Sequence, residues 1–306
     1  MKGVEQFVAS LLEQVPRRVH SELFDGVLLS PWFYGSLIVV LALEWFLPAK
    51  PMQRSSAAGV RHDLLWVLLG IPIGVVAIAS SLIILRALYR THLSFLTIHQ
   101  VKDWPWLARV LLALAFSDLV KWCTHVARHK VPLFWHFHAV HHSQKELNFF
   151  SDFRIHPGDH AADILVRSIP TFMVDHSFAT VAVVEWLRQW HARVYHANIR
   201  SNFGLLRYIL VTPQSHRIHH SVDPRHADRN FAAMFSVWDY LFGTQYHSYD
   251  EYPDTGIRDP TFSFEQDYTW RGSLRCFWDQ LLYPSRAAWR SLVHVSGDPD
   301  RAPVSR

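Results

Sequence analysis

The chain has 306 residues, of which half are hydrophobic, 14% aromatic and only 18% charged, a balance too apolar for an ordinary soluble domain of this length. Its formal net charge of +4 forms no basic stripe with a recognition motif, which sets nucleic acid aside as a partner. Two cysteines, Cys123 and Cys276, with no C-x-x-C pair, exclude both a disulfide framework and a thiolate zinc site.

Residues 1–27 carry Phe7, Val8, Leu11, Leu12 and Val15 at amphipathic-helix spacing, interrupted by Glu5 and Glu13. That pattern fits a helix lying on a bilayer, with a soluble helix packed on the domain as the equal alternative, and not a signal peptide. Residues 28–105 hold two predicted membrane helices. The first runs from about Leu28 to Pro48 with Glu44 as its single charge, and the second from Leu64 to Leu85 without any acid or base. Basic residues on both flanking linkers leave their orientation undecided by charge.

A third helix is expected from Trp106 to Lys130, after Trp104-Pro105. At 1.5 Å per residue it reaches roughly 37 Å, more than a hydrocarbon core of about 30 Å, so its last turns project from the lipid. Those turns carry His125 and His129. A second box follows at His138, His141 and His142, and a third at His216, His219 and His220. Spacings of three and four residues place imidazoles on one helix face, as metal ligation requires. The adjacent pair in each H-x-x-H-H diverges by about 100° around the helix, which suits division between two neighbouring metals. Eight histidines in this setting exceed the four ligands of a structural zinc site and predict a dinuclear centre, although imidazole alone does not choose the metal.

Asp118 lies seven residues before His125 and shares its helix face. It is expected to orient a ligand imidazole or to bind metal; pairing with Lys121 is the alternative. Between the second and third boxes, residues 161–190 are apolar but are broken by Arg167, Pro170, Asp175 and Glu185, which predicts a re-entrant hairpin or two short packed helices. Residues 245–306 are read as a polar, turn-rich cap over the metal site, ending in a disordered tail after Gly297.

The order H-x-x-x-H, H-x-x-H-H, H-x-x-H-H among hydrophobic helices resembles the fatty acid hydroxylase superfamily, which includes sterol desaturases. The likeness extends over about Phe116 to Thr244. It takes in Asp118 before the first box, Arg154-x-His156-Pro157, Thr212-Pro213 ahead of the third box, Asp228-x-Asn230-Phe231 and Trp238-Asp239 with Gly243-Thr244. The resemblance implies an all-α membrane protein, a bundle of about four transmembrane or re-entrant helices with a cytosolic di-metal site, and a catalytic domain at residues 106–244. It adds His196 as a ninth metal ligand, with His191 as a further candidate, and gives Asn230 a role at the ligands or substrate, with a plain turn asparagine as the alternative. Asp159 stands where many members carry glutamate. By resemblance the cofactor is two iron ions, and the reaction is hydroxylation or desaturation of an aliphatic C–H of a lipid. It would draw on O2 and on a separate electron donor of cytochrome b5, ferredoxin or pterin type. The expected location is a bacterial inner membrane with the site facing the cytoplasm. A membrane metal transporter and a zinc-dependent hydrolase are the rival readings; the first box lies at a helix end and not at the bilayer midplane favoured by transporters.

Overall fold

The computed structural model describes residues 31–51, 53, 58–175, 177–264 and 269–294. The predicted N-terminal amphipathic helix, the first residues of the first span and the tail after Gly297 lie outside these. Among the described residues the protein is all-helical, with two isolated β-bridges, Pro48 to Ile199 and Ser221 to Thr255, and no strand.

Helix α1 covers Pro31–Phe46. It follows the first expected span but is 16 residues long, roughly 24 Å. Most of its apolar surface is open, with Trp32 at 73% and Trp45 at 80% exposure. Helices α2 (Ala58–Leu65) and α3 (Ile71–Leu88) run into one another through a wider turn at Trp66–Gly70. Gly70 is required there, because a Cβ would lie 2.7 Å from the Trp66 ring. Helix α4 occupies Trp106–Lys130, as the sequence predicts, and among the described residues it alone is long and apolar enough to cross a membrane.

Helix α4 ends where it does because Pro132 forces the preceding residue out of the helical region: Val131 is extended, at φ −96° and ψ 116°. Pro132 then opens helix α5 (Pro132–His142), where its missing N–H costs nothing. Val131 therefore closes one helix and opens the next. The broken apolar region becomes α6 (Pro157–Arg167), α7 (Ile169–Val174) and α8 (Phe178–His196), with breaks at Ser168 and around Asp175–Ser177. Where the sequence predicts a re-entrant hairpin or two short packed helices, the segment falls into three helices, two of them short and one of 19 residues. Helix α9 (Pro213–His219) begins at a capping box in which Thr212 and Ser215 satisfy each other's backbone N–H groups. Helix α10 covers Val237–Leu241.

The expected polar cap is different in its second half. Trp270–His294 forms a 25-residue helix, α11, whose inner face packs into the core. Phe277 lies against Trp66 with ring centroids 4.7 Å apart, and both share a buried cluster with Ala139 and Val140 of α5. Taken as polar and turn-rich with the rest of residues 245–306, this segment carries an apolar row at helical spacing.

Candidate metal centre

Four helices bring nine histidines together. Helix α4 supplies His125 and His129, α5 supplies His138, His141 and His142, the last residue of α8 is His196, and α9 with its terminal residue supplies His216, His219 and His220. They fall into two groups, each with its ligating atoms within 4.8 Å of one another: His125, His129, His138, His142 and His219 in the first, and His141, His196, His216 and His220 in the second. All nine side chains are buried, the most open at 7% exposure. As the 100° argument predicts, His141 separates from His142 and His219 from His220. The two groups meet where the His142 and His220 rings stack, 4.2 Å apart and 16° from parallel.

Most of these rings are turned by a fixed acceptor behind them. His125 Nδ1 donates to the Phe231 carbonyl at 2.7 Å, His141 Nδ1 to that of Arg154 at 3.2 Å, His196 Nδ1 to that of Ala192 at 2.8 Å and His219 Nδ1 to that of Arg229 at 2.9 Å. His138 Nδ1 donates to the Asp159 carboxylate at 3.0 Å. A carbonyl or carboxylate oxygen only accepts, so the proton is on Nδ1 in each case and Nε2 carries a lone pair. The Nε2 atoms of His125 and His138 then face each other at 3.0 Å, and those of His141 and His196 at 3.1 Å. Two lone pairs at that distance repel; only a cation between or beside them makes the arrangement favourable. The buried Nε2 atoms of His142 and His219 have no hydrogen-bond partner. The donor set therefore fits two metal ions. Burial and neighbouring imidazoles hold His138, His142, His216 and His220 well below the ordinary imidazole value, and burial lowers His219 to about 4. Neutral rings are what ligation needs.

Two expected functional residues have other partners. Asp118 shares its helix face with His125 but receives Met234 N at 3.1 Å, Phe235 N at 2.8 Å and Trp238 Nε1 at 3.1 Å, with Arg188 3.8 Å away. It pins the loop that carries Phe231, so it reaches His125 only through that backbone. Lys121 does not pair with it either: its ammonium lies 2.8 Å from Asp163. Asn230 stands at φ 57°, donates to the Ser215 carbonyl and accepts from Tyr246 N, tying the same loop to the start of α9. The left-handed backbone that asparagine tolerates explains its presence. His156 caps α6, accepting from Gly158 N, and its Nε2 bonds the Leu281 carbonyl, away from both groups. His191 belongs to neither group.

Other residues at the site had not been singled out for these roles. Asp159 is bound on its other oxygen by Arg128 Nε at 2.7 Å. Asp159, Asp163 and Arg167 recur every four residues on α6 and face Lys121 and Arg128 of α4, forming a buried ladder of alternating charge. Asp239 accepts from Phe231 N and Ala232 N, both at 2.9 Å, and holds the carbonyl that receives His125. Asp63 of α2 binds Arg154 Nε at 2.7 Å, beside the carbonyl that receives His141. The four-residue spacing of Asp159, Asp163 and Arg167 was visible in the sequence; the partners of Asp63 and Asp239 lie 91 and 8 residues away and were not.

Residues 110–244 match the family model described as fatty acid hydroxylase. Alkylglycerol monooxygenase of Homo sapiens is 25% identical over 257 residues, covering 83% of this chain and 53% of the relative. The Caenorhabditis elegans protein of that name is 26% identical over 181 residues, covering 59% and 34%. Ornithine lipid hydroxylase OlsE of Rhizobium tropici is 26% identical over 223 residues, covering 70% and 66%. The chain thus spans between a third and about half of these alkylglycerol monooxygenases. No solved structure matches it significantly. All nine histidines, eight in the three boxes together with His196, lie within residues 110–244, the segment that matches the fatty acid hydroxylase model.

Proposed function

We propose that the chain is an integral membrane oxidoreductase that hydroxylates an aliphatic carbon of a lipid, using two iron ions, O2 and electrons from a separate donor. The observation that carries this reading is the pair of histidine groups whose Nε2 lone pairs converge in a dry interior. Imidazole suits zinc and iron alike. The relatives' names state oxidations, which zinc, having no redox chemistry, does not perform. Alkylglycerols, ornithine lipids and fatty acids have an alkyl chain in common, which supports a lipid chain as the reacting group.

When bound, a pair of irons would supply the oxidising power needed to replace C–H by C–OH. The side chains have three tasks. His125, His129, His138, His142 and His219 would hold one ion and His141, His196, His216 and His220 the other, all neutral. Asp159 and the backbone carbonyls fix the ring angles of His125, His138, His141, His196 and His219. The surrounding core, including Phe231 at 1% exposure against His129 and His219, keeps water from the reacting carbon. The location of these groups at the far end of α4 supports a site at the membrane face, which we assign to the cytoplasmic side of a bacterial inner membrane.

The test is to purify the protein, measure metal per chain, and incubate it with lipid extracts with and without O2 and reductant. Hydroxylated lipid that requires both is the expected result. Zinc uptake into vesicles without lipid product would sink the reading, and product formed without O2 would point to a hydrolase.

A further inference from the structure

Helix α11 has two apolar faces. The inner one, Cys276, Phe277, Gln280, Tyr283 and Ala287, is buried against α2 and α5. On the outer one, Trp270, Leu274, Trp278 and Leu282 follow one another at four-residue intervals and Trp289 continues the row two turns on. Their exposures run from 41% at Leu274 to 68% at Trp289. At 100° per residue these five occupy a sector of about 120°, opposite the buried face. Arg275 and Arg286 are exposed along one margin of that sector, Arg286 paired with Asp279 at 2.8 Å, and exposed Arg271 lies within the sector; the helix carries four arginines against one aspartate.

We propose that the outer face of α11 lies in the headgroup region of an anionic lipid bilayer, the membrane that the proposed function requires. Three observations choose this occupant. Three of the five outward residues are tryptophans, whose rings combine apolar surface with one N–H and partition to the boundary between water and hydrocarbon. The arginine margin matches lipid phosphates in charge. The inner face of α11 packs through Phe277 on Trp66, and beyond Trp66 the same continuous helical run exposes Leu68, Ile73 and Val76, a second open apolar surface. The consequence concerns the metal groups. Because α11 shares its buried cluster with Ala139 and Val140, between His138 and His141, a helix fixed at the bilayer surface sets the height of α5 and its histidines above the lipid chains.

The experiment uses the metal-loaded protein in vesicles of phosphatidylcholine and phosphatidylglycerol. An environment-sensitive thiol dye is attached at Trp278→Cys in a Cys123→Ser background, and Leu68→Cys serves as the reference position. Lipid carrying a nitroxide high on its acyl chain should quench the Trp278→Cys dye about twofold or more over aqueous iodide. The same measurement at Trp289→Cys, a more exposed position, covers the case in which Trp278→Cys does not fold. Iodide quenching at α11 with lipid quenching at Leu68→Cys overturns the proposal and leaves the membrane reading standing. Lipid quenching at neither position overturns both. Protection from both quenchers at α11 means that a second copy or another protein covers the face, and also overturns it.

Discussion

Replacing Asp159 by asparagine isolates what the carboxylate does for the metal groups. In the protein, Asp159 Oδ2 accepts from His138 Nδ1 at 3.0 Å while Oδ1 accepts from Arg128 Nε at 2.7 Å. An amide has one accepting oxygen and one donating nitrogen, so Asp159→Asn keeps one of these bonds and sets an N–H against the donor in the other. If the oxygen turns to Arg128, His138 loses its acceptor and is free to rotate or change tautomer. Loss of such a supporting partner typically weakens metal binding about 10- to 100-fold, or about 1.4–2.7 kcal/mol. Arg128 is 5% exposed and retains Asp163 at 3.0 Å, which places the stability loss near the lower end of the roughly 3–5 kcal/mol for breaking a buried pair. Metal per chain is read by mass spectrometry during a chelator titration, with unfolding followed by circular dichroism. His138 belongs to the first group only, so metal in that group should leave first and create a plateau at half the wild-type content. Simultaneous loss of both metals, or retention of both at the wild-type chelator concentration, would refute the reasoning.

Asp118→Asn should lower the melting temperature while shifting metal affinity less than Asp159→Asn, because the Asp118 bonds go to Met234, Phe235 and Trp238 and reach His125 only through the loop. Chelator titration beside thermal melts separates the two effects. His141→Ala and His219→Ala each remove a member of a different group and should each abolish activity and lower metal content; His247→Ala, outside both, should do neither. Equal loss in all three would remove the ligand assignment. For pH, the folded value of His219 lies at about 4 against an ordinary 6.5, so the unfolded chain takes up the proton first as pH falls. The metal-free protein should therefore be fully stable above about pH 6.5, lose stability progressively below it, and level off as pH passes the folded value. Denaturant midpoints measured between pH 7 and 4 that stay constant would contradict this.

Eight of the nine histidines were legible because each box is local: three- and four-residue spacings define a helix face without knowledge of the fold, whereas His196 came only from the family resemblance. The length of α4 was legible for the same reason, set by Pro105 at one end and Pro132 at the other. Asp118 shows where such reasoning stops. Its helix face was read correctly, yet the loop around Trp238, 120 residues on, reaches the carboxylate with three donors that no periodicity predicts. Likewise α11 has the spacing of a helix with two apolar faces, within a stretch read as polar and turn-rich.

The corner at Val131 has a consequence for what the chain tolerates. One residue closes α4 and opens α5, leaving no slack between His129 and His138. An insertion before Pro132 would turn one set of imidazoles against the other by about 100°, the advance of a single helical residue. The segment thus acts as a ruler: with Pro132 setting the corner, its length cannot change without dismantling the first group of ligands.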